Sequence, residues 1–379
     1  MKKTSILILF TVFCSILNLK TYAEMNPFFS EFKTPYNIPP FELIKDEHYR
    51  PAFYKGMESH LEEINAIVDS IDPPSFENTI IAFERAGKDL DIVSSTFFNL
   101  LSSNTNDEMD QIASEIGPIL SGHYDSIYLN KALFNRVKSI FDARSKLDLS
   151  TEQFRLIAEM HKDFVRSGAQ LDDPSMDTLT EINQELSSLT IEFDQNLLKE
   201  TNEGYQLIIA NTEQLDGLPK DVISQAAKLA QSEGHEGKWL FKPTRVSMYP
   251  FLTYSTQRNL REKLYNSYIK RGDNDNEYDN KANAIKIAKL RLKRANILGY
   301  DTHADFVLDN TMAQSTDRVK DLLDRVWEPG LATAKREVAE MQKMIESEGN
   351  TFDLAAWDWW YYSEKIRQLK YDFSEEEVK

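Results

Sequence analysis

The sequence predicts a mostly α-helical protein, on three observations. Its 379 residues hold only 13 glycines and 13 prolines, too few turn residues for a β-sandwich or barrel of this length. Hydrophobic residues make up 41% and aromatics 11%, enough to bury a real core and unlike a disordered chain. Apolar positions then recur at helical spacing through most of the sequence after Phe41. The length allows two domains or one large helical unit. Sixty-one acids against 44 bases give a formal charge of −17, which argues against nucleic-acid or anionic-membrane partners, since both require clustered cations.

Residues 1–23 read differently. Lys2 and Lys3 precede the apolar run from Ile6 to Leu17, and Thr21-Tyr22-Ala23 follows as a small-residue cleavage pattern. This is the layout of a secretory signal peptide, with an apolar run too short to span a bilayer. The expected product is exported, periplasmic or extracellular, and free of the membrane after cleavage. Cleavage removes Lys2, Lys3, Lys20 and no acid, taking the formal charge from −17 to −20. It also removes Cys14, the single cysteine, so no disulfide or thiolate remains.

The helices announce their starts. Pro73-Pro74-Ser75 ends one and caps the next, whose apolar positions Ile80, Phe83, Ile92, Val93, Phe97 and Leu101 keep helical spacing through to Leu101. Ser150-Thr151-Glu152-Gln153 is a capping box, in which the Ser150 hydroxyl and Gln153 amide satisfy opposing backbone donors. It should open a helix carrying Phe154, Ile157, His161 and Val165. Another is expected over 177–198, with Leu179, Ile182, Leu186, Leu189 and Phe193 on one face. Around 204–254 the texture changes. Tyr205–Ile209 and Lys238–Phe241 are rich in β-formers, predicting a small β element and the chain's domain boundary. Helices resume over 257–270 and 280–298, the latter closed by Gly299. A long helix after Ser315 should bend at Pro329.

The chemistry is sparse. No G-x-S-x-G elbow, P-loop or G-x-G-x-x-G is present, and none of the six histidines forms H-E-x-x-H, which places two imidazoles one helical turn apart on a single ion. His235-Glu236 sits between glycines and reads as a solvated turn. His161 follows Glu159 at a spacing of two, on a different helix face, and reads as a half-buried helix histidine. His48, His60, His123 and His303 stand alone. Asp273, Asp275, Glu277 and Asp279 alternate like a calcium loop, but Tyr278 and Ala284 occupy its glycine and bidentate-glutamate positions, leaving an acidic approach to a helix N-terminus. Trp357-Asp358-Trp359-Trp360-Tyr361-Tyr362, continuing through Ile366 and Leu369, reads as a helix buried on every side. Motifs alone supply no catalytic, metal-binding or cofactor residue.

A set of ordered strings is far more specific. Ile44-Lys45-Asp46-Glu47-His48-Tyr49-Arg50-Pro51-Ala52-Phe53, Phe76-Glu77-Asn78-Thr79-Ile80, Phe97-Phe98-Asn99-Leu100, His161-Lys162-Asp163-Phe164-Val165-Arg166 and Gly237-Lys238-Trp239 resemble the thimet oligopeptidase family of zinc metallopeptidases, in its peptidyl-dipeptidase branch. Asn259-Leu260-Arg261-Glu262-Lys263-Leu264-Tyr265, Leu298-Gly299-Tyr300, Thr302-His303-Ala304, Trp357–Tyr362 and Glu364-Lys365 continue the match in the family's order, over roughly residues 27–379. The resemblance implies a multi-helix, two-lobed fold enclosing a channel for short peptides, and zinc-dependent proteolysis releasing C-terminal dipeptides. In the family, two histidines and a distant glutamate bind zinc, and the glutamate of H-E-x-x-H activates water. That motif lies in the family beyond the stretch matched here, so no catalytic or metal residue carries over, and zinc belongs to the full-length family. The expected organisation is a signal peptide over 1–23, an N-terminal helical lobe over 24–203, and the opening part of the peptidase domain over 204–379. Such a chain should be inactive alone, unless a C-terminal half joins it in trans. The other reading is a non-catalytic helical peptide-binding or interaction protein.

Overall fold

The computed structural model describes residues 26–371; the signal-peptide segment and Cys14 lie outside them. Among these residues helices dominate, as composition predicts. In chain order they are α1 (Tyr49–Val68), α2 (Ala82–Arg85), α3 (Lys88–Ser103), α4 (Asp107–Tyr128), α5 (Lys131–Ala143), α6 (Thr151–Arg166) and α7 (Asp173–Glu203). Then come β1 (Leu207–Ile209), α8 (Lys220–Ser232), β2 (Trp239–Phe241), α9 (Arg245–Tyr254), α10 (Arg258–Ile269), α11 (Lys281–Ile297), α12 (His303–Asp309), α13 (Thr316–Ser347) and α14 (Trp359–Tyr371). The predicted β element is a two-stranded antiparallel sheet, with Leu207 opposite Phe241 and Ile209 opposite Trp239.

Backbone packing divides the chain into two compact units. One comprises residues up to Ile191 with Leu290–Asp301, the other Glu192–Lys289 with residues from Thr302 onward. In the first unit, Tyr49 and Phe53 of α1 pack on Phe97 of α3 and on Ile112 and Ile116 of α4. A second cluster gathers Ile64, Leu133, Val137, Ile157 and Phe164. The second unit is built around Leu207, Phe241, Phe251, Leu252 and Leu264. A smaller cluster joins Met341, Ile345 and Tyr362.

Local sequence signals explain the helix starts. Ser150 and Gln153 form the predicted capping box, and the Ser75 hydroxyl accepts from the Asn78 N–H. The helix expected from Ser75 to Leu101 is interrupted, however. Residues Phe76–Ile81 form a π-helical turn leading into α2, then Ala86 turns extended and Gly87 adopts φ +80°. The Gly87 N–H donates to the Glu63 carboxylate at 2.7 Å, and a Cβ there would lie 2.8 Å from the His60 ring. Tertiary contact at this glycine overrides a period that reads as continuous.

The long helix expected after Ser315 is α13, which runs from Thr316 to Ser347 with Pro329 inside it. One further expectation changes. The aromatic segment is not buried on every side: a short 3₁₀ turn (Ala356–Asp358) precedes α14, only Asp358 and Tyr362 are fully buried, and Leu369 is 78% exposed. The aromatic rings face Tyr249 and Tyr265 through Trp360, Trp359 and Tyr361 pack with Tyr362 on Met341 and Ile345, and exposure begins toward the end of α14, at Leu369 and Tyr371. A second apolar surface lies on α13, where Leu322, Leu323, Val326, Trp327 and Leu331 are all exposed. Trp327, at 66% exposure, stands at the middle of a ridge that is unusual for a solvent-facing helix.

Candidate functional site

Among the described residues, chemistry-bearing side chains gather in three places, each inside one unit. In the first unit α1 and α4 bring together two histidines that stand alone in the sequence. His123 Nε2 lies 3.1 Å from His60 Nδ1, and both rings are buried. Tyr124 sets its ring edge-on to each, at 6.3 and 5.5 Å. Burial lowers the His60 pKa; burial and the neighbouring imidazole bring His123 down to about 4. The pair is therefore neutral at pH 7, one ring donating and the other accepting.

The linkage to stability has a definite sign. The unfolded histidines bind protons near pH 6.5, while in the fold His123 resists until about pH 4. Between those values the unfolded chain takes up more protons, so stability falls as pH drops from about 6.5 to 4. Replacing both rings, as in His60→Phe with His123→Phe, should flatten that part of the Tm-versus-pH curve. An unchanged slope would refute the linkage.

The second cluster surrounds Glu200 near the end of α7. Its buried carboxylate accepts from the Gly272 N–H, from Asn274 Nδ2 at 2.7 Å and from Asn276 Nδ2 at 2.8 Å. This organises the loop carrying the alternating acids. Lys281 then places its ammonium 2.8 Å from Asp273, 2.9 Å from Asp275 and 2.7 Å from Asp279. The lysine supplies the positive charge that a calcium ion would bring, and the three carboxylates hold its pKa well above the usual range.

The third cluster was not anticipated. Asp358, inside the aromatic run, is fully buried and faces two arginines of α10. Arg258 donates to both carboxylate oxygens at 2.9 to 3.1 Å, and Arg261 Nη2 donates to Oδ1 at 2.8 Å. The Ala355 N–H completes the set at 3.1 Å. The excess positive charge rests on rings: Arg258 lies 4.1 Å over Phe352 and Arg261 4.2 Å over Tyr361, a favourable placement for a poorly hydrated guanidinium. The readable clue was one acid within a run of aromatics. A charge there must be paired if the run is packed.

The remaining histidines are dispersed. His48 Nδ1 accepts from the Lys45 N–H at 3.0 Å where α1 begins. His161 stacks on Phe141 at 3.8 Å, half-buried as predicted, while Glu159 turns to Arg155 and Lys162. His235 lies in the turn before β2, and His303 opens α12. Among the described residues no group of three or more His, Cys, Asp or Glu could hold a metal ion, so they do not fit a zinc site. No described helix is long and apolar enough to cross a membrane.

Comparison with known proteins shows what the chain is similar to. Residues 251–379 match the model of peptidase family M3. The dipeptidyl carboxypeptidase of Escherichia coli is 32% identical over 355 residues, covering 94% of this chain and 52% of that protein. The corresponding Salmonella typhimurium protein is 32% identical over 354 residues, 93% of this chain and 52% of its own. Oligopeptidase A of Haemophilus influenzae is 30% identical over 348 residues, 90% of this chain and 50% of its own. The chain thus spans about half the length of these curated relatives. The resemblance read from the ordered strings is matched by this similarity: residues 251–379 resemble peptidase family M3, and nearly the whole chain aligns with about half of a dipeptidyl carboxypeptidase.

Proposed function

We propose that this chain forms the non-catalytic part of an M3 peptidase of the peptidyl-dipeptidase type, which takes short peptides and releases dipeptides from their C-termini. The observation carrying this reading is the similarity to dipeptidyl carboxypeptidases along 94% of the chain. The zinc chemistry would come from residues other than these 379, which contain no H-E-x-x-H, whether joined in the same polypeptide or supplied by a separate one. The exposed ridge on α13 supports a body that covers it. Export is part of the proposal and rests on the Lys2-to-Ala23 pattern; fractionation and N-terminal sequencing of the expressed protein test it, a product retaining Met1 counting against cleavage.

The assay is dipeptide release from an unblocked oligopeptide with zinc present. The chain alone should release nothing. Adding the folded C-terminal half of a dipeptidyl carboxypeptidase should produce release that depends on both components. Hydrolysis by the chain alone would overturn the inactive-alone reading. Peptide binding with no hydrolysis in any combination would favour a non-catalytic peptide-binding protein.

A further inference from the structure

Within the first unit, α4, α7 and α11 border a groove of about 560 Å³. One wall is apolar, from Phe98, Leu120, Leu186 and Ile191; the rest carries hydroxyl and amide groups and two guanidiniums, Arg291 and Arg294. Gly117 helps to keep it open, since a Cβ there would press 2.3 Å from Ile191 Cδ1 and 3.2 Å from Ser187 Oγ.

The charge balance of the groove is unlike that of the molecule. The chain carries −17 overall, yet here two arginines lie three residues apart on α11: Arg294, partly buried, has its pKa lowered by that burial and by Arg291. The nearby acid is Asp125 of α4. Its carboxylate accepts from Asn183 Nδ2 at 3.0 and 3.2 Å, and Arg294 in turn donates to Asn183 Oδ1 at 3.4 Å. Burial raises the Asp125 pKa to about 6 despite those partners, so its charge is held with difficulty. Arg291, on the exposed side, has no ion pair among the described residues. An exposed guanidinium with no ion pair, a second one beside it and an apolar wall suit a ligand that brings a carboxylate and an apolar stem.

We propose that this groove binds the carboxylate of a peptide, with Arg291 and Arg294 taking the anion and the Phe98–Leu120–Leu186–Ile191 wall taking the adjoining side chain. That the ligand is a peptide rests on the function proposed above; that it is anionic rests on the groove itself. Arg291 makes the contact from the exposed side, and Asn183 positions Arg294 while occupying Asp125.

The test is calorimetric titration of the whole chain, without zinc, using three peptides of one length. Ac-Ala-Leu-Ala with a free C-terminus carries the terminal carboxylate, its amide carries none, and the amide of Ac-Ala-Glu-Ala carries a side-chain carboxylate. The free acid should bind about tenfold more tightly than its amide; equal affinity for the acid and both amides overturns the proposal. Tighter binding of the glutamyl amide than of the free acid assigns the site to an internal acidic residue instead of the chain end. Arg291→Gln, on an exposed side chain, should weaken the acid by roughly tenfold at unchanged Tm, and Asp125→Asn should strengthen it. No change in either variant also overturns the proposal. Because hydrolysis is not read, a peptide that binds irrespective of charge sinks the anion site while leaving the peptidase reading to its own assay.

Discussion

Replacing Asp358 with alanine is expected to cost about 3–5 kcal/mol, the range found when one partner of a buried ion pair is removed. Arg261 is almost completely buried and Arg258 largely so, and the substitution leaves both guanidiniums without their anion. The measurement is urea unfolding followed by tryptophan emission. All five tryptophans belong to the second unit, so the signal reports the region where the loss occurs. Asp358→Asn, which keeps one acceptor but no charge, should fall between wild type and alanine. A triple variant with Met at 258 and 261 and Leu at 358 should be less damaged than Asp358→Ala alone, because the desolvation cost of the charges disappears with them. A midpoint for Asp358→Ala within error of wild type would mean that solvent reaches the arginines and that the cluster contributes no stability.

Phe97→Ala should be nearly as costly in the first unit, at about 3–5 kcal/mol. The Phe97 ring is fully buried, with Tyr49 at 4.9 Å, Phe53 at 5.4 Å and Phe98 at 5.1 Å between centroids. Truncation removes the apolar burial and leaves a cavity that three rigid rings cannot fill by changing rotamer. Far-UV circular dichroism suits this variant, because the first unit contains no tryptophan. Phe97→Leu should recover most of the loss, since it restores volume and loses only ring edge contacts. Equal destabilisation by leucine and alanine would locate the effect in ring geometry instead of filled volume.

What the sequence makes legible here follows the range of the interaction. Ser150 with Gln153, and Gly299 after α11, are settled within a few residues by backbone donors or a required turn, and both appear where expected. The paired β segments are likewise local enough to read. Contacts across long separations are not. His60 and His123 are 63 residues apart, Arg258 and Asp358 are 100 apart, and each member alone carries no sign of its partner. The break at Gly87 was missed for the same reason: its cause is Glu63 and His60 on another helix. The aromatic run misled in a different way. Periodicity counts rings but cannot say that Asp358 turns one side inward while Leu369 faces solvent. The family resemblance, by contrast, depended on ordered strings that survive at 32% identity, so it reached further than any single motif.

The ridge on α13 also bears on how long a molecule of this chain persists in a cell. A solvent-facing row of Leu322, Leu323, Val326 and Trp327 is the kind of surface that holdase chaperones and quality-control proteases recognise, and both draw molecules out of the folded pool. A copy whose ridge is covered escapes that triage; a bare copy does not. Abundance would then follow the supply of whatever covers α13 more closely than the rate of synthesis, and excess copies would be cleared instead of accumulating.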